Sequence, residues 1–129
     1  MSIETALYAE MVADTGIAAL VSTRVYPVQL PQSPTLPAIT YQRISGSRTY
    51  VMGQPSINAN PRFQITSWGA TYSSAQSVAA AIRALLDGFK GELGSDKHAG
   101  VRLVNDYDIS DPETGRYGIA ADYIIWHQE

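Results

Sequence analysis

The side chains best suited to chemistry are concentrated in NDYDISDPETG (residues 105–115), which holds Asp106, Asp108, Asp111 and Glu113. Clustered carboxylates suit calcium binding, or hydrolysis by a pair facing one cleft. The calcium template fails. With Asp106 as the first EF-hand position, Asp111 stands where glycine is required and Tyr117 where the bidentate Glu belongs. For hydrolysis, strand alternation puts Asp106 and Asp108 on the wet face of a strand and the other two acids in its turn. The expectation is a solvated acidic hairpin; a small hydrolase is the competing reading, tested by neutralising Asp106 and Asp108 together. His98 and His127, the only histidines, have no carboxylate or cysteine at metal-ligand spacing. One is expected in a glycine-flanked loop, the other at a frayed end. Ser45-Gly46-Ser47 and Gly53-Gln54-Pro55-Ser56 offer hydroxyls, but there is no Gly-x-Ser-x-Gly elbow, GxGxxG or GxxxxGK. No catalytic residue, metal ligand or cofactor is assigned.

The elements that would position these residues are legible in the apolar period. SIETALYAEMVADTG (residues 2–16) reads as an amphipathic helix, capped by Ser2 and ended by Gly16, with Ile3, Ala6, Leu7 and Met11 on its core stripe; IAALV (17–21) adds a further turn. Pro27, Pro31, Pro34 and Pro37 then predict a rigid extended connector without ladder hydrogen bonds. Pro31–Pro34 matches PxxP, but no basic residue flanks it closely. PAITYQRIS (37–45) and PRFQITSW (61–68) read as strands, the second starting at Pro61 with Phe63 and Ile65 facing a core. The main helix lies within residues 71–89, capped by Thr71, with Tyr72, Ala75, Val78, Ala79, Ile82, Leu85, Leu86 and Phe89 in one stripe and Gly88 and Gly91 closing it. GVRLVNDYDI (100–109) and RYGIAADYIIWH (116–127) flank a Pro-Gly turn and predict a hairpin. Val101, Leu103, Tyr107 and Ile109 would share one face of its first strand; Tyr117, Ile119, Ala121, Tyr123 and Ile125 would share one face of its second. The order predicts an α+β fold: a single mainly antiparallel sheet with two helices packed on one face.

Composition narrows the function classes. The 129 residues fit a single domain spanning 1–129. The charged fraction is 16%, where about a quarter is usual, which suggests surface covered by a partner. A net charge of −3 with scattered Lys and Arg gives no footprint for gripping nucleic acid. The absence of cysteine removes disulfides, thiolate zinc sites and a cysteine nucleophile. No basic residue precedes Arg24 and no apolar run approaches a membrane span, so synthesis in the cytoplasm and no membrane partner are expected.

One segment has no place in this scheme. Between the two central strands, residues 46–61 show no apolar period, although neighbouring strands are commonly joined by two to five residues. The expectation is a projecting arm, a long β-hairpin or loop at about 46–60. Half of it, stretched, would reach roughly 25 Å, against a radius of gyration of about 14 Å for the whole chain. Tyr50, Val51, Met52 and Ile57 on such an arm suggest contact with another chain.

VYPVQLPQSPTLPAITYQRISGSRTY, RFQITSWGATYSSAQSVAAAIRALLDGF and DPETGRYGIAADYIIWHQE, in this order over nearly the whole chain, resemble the small tail-completion, or tail-terminator, proteins of long-tailed bacteriophages, prophages and gene transfer agents. The resemblance implies a structural virion protein, made in the host bacterial cytoplasm and located at the head-proximal end of the tail. It implies a homo-oligomer, a hexameric ring that caps the tail tube protein and meets the head connector protein, with DNA only as passing cargo, no cofactor and no enzymatic activity. A head-side connector or adaptor of the same particle is the alternative. Subunit or tube contacts are expected on the arm, at Arg48, Tyr50, Met52, Gln54 and Ile57.

Overall fold

The computed structural model describes residues 3–32, 35–45, 48–49, 58–93, 97–111 and 115–128. Helices α1 (Ile3–Ala13) and α2 (Thr15–Val21) precede strands β1 (Val25–Pro27), β2 (Ala38–Ser45), β3 (Arg48–Thr49), β4 (Asn58–Ala59) and β5 (Arg62–Gly69). Helix α3 (Tyr72–Leu86) and strands β6 (Lys90–Leu93), β7 (Lys97–Asp111) and β8 (Arg116–Gln128) complete the chain. All described strands join one sheet, in which β1 pairs with β2, β2 with β5, β5 with β8, β8 with β7 and β7 with β6. Only β1 and β2 run parallel. The fold is α+β with a mainly antiparallel sheet, as the element order predicts, but with three helices where two are expected, because Asp14 splits the first.

The helices gather one apolar cluster against one face of the sheet. Ile3, Leu7 and Met11 of α1, Ile17 and Val21 of α2, and Val78, Ile82 and Leu86 of α3 meet Ile39, Phe63, Ile65, Val101, Tyr123 and Ile125. The sequence stripes therefore face the core, with one exception: Tyr72 at the start of α3 is 42% exposed. Thr71 caps α3 as expected, its Oγ1 accepting the Ser74 N–H at 3.1 Å. The break between α1 and α2 falls at Asp14, earlier than the expected stop at Gly16. Asp14 caps α2, its Oδ2 accepting the Ile17 N–H at 3.0 Å. A Cβ on Gly16 would crowd that oxygen at 3.2 Å. The expected cap Ser2 lies outside the described residues.

One expectation about proline needs correction. The connector is not free of ladder bonds, because Val25–Pro27 forms the parallel edge strand β1. Pro27 ends it, where a missing N–H breaks no inner ladder. Pro61 marks the start of β5 at Arg62, as expected, and pairing with β8 resumes on its other side in β4. Arg62↔Ile124 in β5 and Ala59↔His127 and Asn58↔Gln128 in β4 keep one register against β8. The Ile125 N–H still donates to the Pro61 carbonyl at 3.0 Å. Pro61 cannot return that bond, so the ladder is interrupted while the strand direction persists.

Candidate functional site

The arm is built from the same two strands that cross the core. Ser45↔Arg62, Arg48↔Ala59 and Thr49↔Asn58 follow one register, so β3 continues β2 and β4 continues β5. Within the connection that looks patternless in sequence, Arg48–Thr49 and Asn58–Ala59 are paired. β4 also pairs with the end of β8, which ties the base of the arm into the sheet. Of the expected contact residues, Arg48 stands in β3 opposite Ala59. Tyr50, Met52, Gln54 and Ile57 lie outside the described residues.

A polar group on the helix-free face holds the arm's base. Arg62 Nη2 meets Asp122 Oδ2 at 2.8 Å, with the Asp122 side chain only 8% exposed. Gln64 Nε2 donates to the Tyr107 hydroxyl at 2.6 Å and to Asp122 Oδ1 at 3.4 Å. Nearby, the Trp68 indole N–H donates to Thr40 Oγ1 at 3.0 Å. A buried carboxylate needs such partners, since desolvation disfavours its charge. Asp122 was readable in the apolar run IAADYII as a charge that must find a cation. Its partner Arg62 is sixty residues away in the chain and shows only in the fold.

The acidic hairpin departs from its expected facing. The register slips between Leu103 and Asn105, leaving Val104 as the extra residue. Before the slip, Val101 and Leu103 stand opposite Ile125 and Tyr123; after it, Asp106 and Asp108 stand opposite Ala121 and Ile119. These four β8 residues share the helix-side face, so both aspartates lie on that side. Tyr107 and Ile109, expected beside Leu103, are turned to the opposite face, paired with Ala120 and Gly118. The result is a cavity of about 430 Å³ between the start of α3 and β7, lined by Tyr72, Gln76, Ala79, Arg83, Asp106 and Asp108 among others. Arg83 Nη2 lies 3.6 Å from Asp106 Oδ2. The Tyr72 hydroxyl donates to Asp108 Oδ2 at 2.8 Å, a bond that raises the phenol's pKa above its ordinary value. Each carboxylate thus has its own partner, an arrangement without the shared proton or paired geometry of an acid/base couple.

The histidines are also relocated. His98 lies in β7 opposite Glu92, and His127 is buried in β8 opposite Ala99, not at a loose end. Among the described residues, no group of three or more His, Asp or Glu side chains could hold a metal ion, and no helix is long and apolar enough to cross a membrane.

Against known families, the tail completion protein gp17 family matches residues 5–128. The chain belongs to this family of tail completion proteins. It is therefore placed among structural components of phage-type particles. Among solved structures, a chain from the virion of a native gene transfer agent particle shares the fold, with a TM-score of 0.82 and 20% identity over 99% of this chain and 96% of that chain. No curated protein sequence matches. The resemblance drawn from packing and turn residues agrees with the family match.

Proposed function

We propose that this tail completion protein is a tail terminator: residues 1–129 act as one domain whose copies close into a ring, most simply of six subunits, on the last layer of the tail tube. The ring stops tube growth and presents its other side to the head connector, with DNA passing through its centre. The observation that supports this reading best is the family match over residues 5–128, joined to a hairpin whose ladder runs out to Thr49 and Asn58. A closed ring needs two different patches on each subunit that fit one another. The arm supplies one patch, with Arg48, Tyr50, Met52, Gln54 and Ile57 as its contact residues. Low charge and a particle-building family support a structural role without enzymatic activity.

The test is to mix purified chain with purified tail tubes and measure the bound mass and symmetry at the tube end by electron microscopy. A six-fold ring at one end of each tube, with no further tube growth, is expected. Binding to isolated heads and not to tube ends would replace the terminator reading with that of a head-side connector.

A further inference from the structure

Besides the short edge strands β1 and β6, two longer stretches of strand edge stay open among the described residues. On its outer side β2 is bonded by β1 only as far as Tyr41, where the Val28 N–H donates to the Tyr41 carbonyl. Beyond it, residues 42–45 and 48–49 pair only inward, with β5 and β4. On the other side of the sheet, β7 is covered by β6 at residues 97–100, by Gly88 and Phe89 at Val101, and by the Asp87 carboxylate at the Leu103 N–H. Beyond it, residues 104–111 pair only with β8. An open edge is a template for another strand unless something guards it. These two are guarded with opposite signs. QRISGSRT (42–49) carries Arg43 and Arg48 and no acid; VNDYDISD (104–111) carries Asp106, Asp108 and Asp111 and no base.

We propose that the β7 edge of one copy pairs with the β2–β3 edge of the next, so that the sheet continues from subunit to subunit around the ring. The proposal rests on the ring reading above and specifies its interface. Like edges repel and unlike edges attract, so the charges disfavour a two-fold dimer and favour the head-to-tail contact a ring requires. Direction agrees. β2, β5, β8 and β7 alternate, so β7 runs opposite to β2. A rotation about the ring axis preserves this, and the new pair is antiparallel.

The offset between the edges agrees as well. Ile39, Ser67, Ile119 and Asp108 stand level across the sheet. The open part of β7 is therefore level with the β1-covered part of β2. Bringing residues 104–111 beside a neighbour's 42–45 and 48–49 needs a slide of about six residues, about 20 Å, over four strands spanning about 19 Å. That corresponds to a strand tilt of about 45°, at the upper end of what closed barrels use. One register sets Arg48 opposite Asp106. Arg43, opposite Phe63 on the helix-side face and now 3.5 Å from Glu4, follows beyond the slip at Ile44.

Because the chain has no cysteine, Arg48→Cys and Asp106→Cys introduce the only thiols. The double variant, oxidised at high concentration and on purified tubes, should give a ladder of cross-linked species ending at ring size. Each single variant should give none, and a mixture of the two should stop at pairs. Charge reversal tests the same contact without cross-linking. Arg48→Asp or Asp106→Arg should each raise the concentration needed for assembly about tenfold or more, and the double reversal should restore it. Wild-type rings by sedimentation, with neither a cross-link ladder nor rescue, would overturn the edge pairing and leave the ring intact. Wild-type chain that stays monomeric in both settings would remove the ring and this interface with it.

Discussion

The two long hairpins, residues 38–69 and 97–128, are built alike and end differently. Each crosses the helix-covered core as a regular ladder, and each slips by one residue beside an exposed aliphatic, Ile44 at 42% and Val104 at 39%. In the first, the slip comes beside Arg43, which meets Glu4 of α1, and pairing resumes in the same register at the base of the arm. In the second, it comes beside α3 and turns two aspartates toward the helix side. A single extra residue therefore reassigns every later side chain in a strand. The described base of the first hairpin carries Arg43 and Arg48; the second carries Asp106, Asp108 and Asp111. Two regions of different charge, displaced along the sheet, are what a self-complementary ring subunit requires.

The largest expected effect breaks what the hairpins share. Ile82 is 2% exposed and packs in the cluster that holds Phe63 of the first hairpin and Tyr123 of the second. Ile82→Ala should cost about 2–5 kcal/mol in denaturant unfolding, the usual range for a large-to-small core change. A cost under about 0.5 kcal/mol would show that α3 faces a partner instead of the core. Next comes the polar tie on the opposite face. Asp122→Ala strands Arg62 and loosens Gln64, leaving the two hairpins joined by the β5–β8 ladder without this side-chain tie. With Arg62 partly solvated, a loss of about 2–3 kcal/mol is expected, less than for a fully buried pair. A neutral result would mean that the arm's base is held by its backbone ladder alone.

A smaller effect is visible only in alkali. Burial pushes the Tyr123 phenol up to about 12, from an ordinary value of 10.0. The folded state then holds a proton that the unfolded chain releases first, so this contribution is full below pH 10 and is lost as pH rises toward 12. Tyr123→Phe should flatten the stability profile over that window. An unchanged alkaline slope would assign it to other groups.

How much of this was legible in the sequence follows from what each signal encodes. Phe63, Ile65, Val78 and Ile82 announce their burial because period 2 and period 3.6 survive into the fold. The strands β3 and β4 do not, because two residues each are too few to carry an alternation while the register persists. Pro61 reads as a boundary because it lacks a donor, yet its carbonyl keeps the ladder in step. The slip at Val104 is silent, since valine suits either phase; Tyr107 and Ile109 then continue a plausible apolar alternation on the wrong face. His127 looks terminal in the chain, but β8 carries it between β4 and β7. Of the candidate site, the acid was legible by composition and its relation to the arm's base only through the register, while Tyr50, Met52, Gln54 and Ile57 lie outside the described residues.

The most direct test of the terminator reading removes the arm's end and keeps both hairpins. Replacing residues 50–57 by Asn-Gly joins Thr49 to Asn58 through a two-residue turn that their antiparallel pairing accepts. The purified subunit should unfold within about 0.5 kcal/mol of the parent, because surface insertions contribute little to stability. Particles assembled with it should show tails that overrun their normal length or lack heads when measured by electron microscopy. Tails of normal length with heads attached would contradict the account.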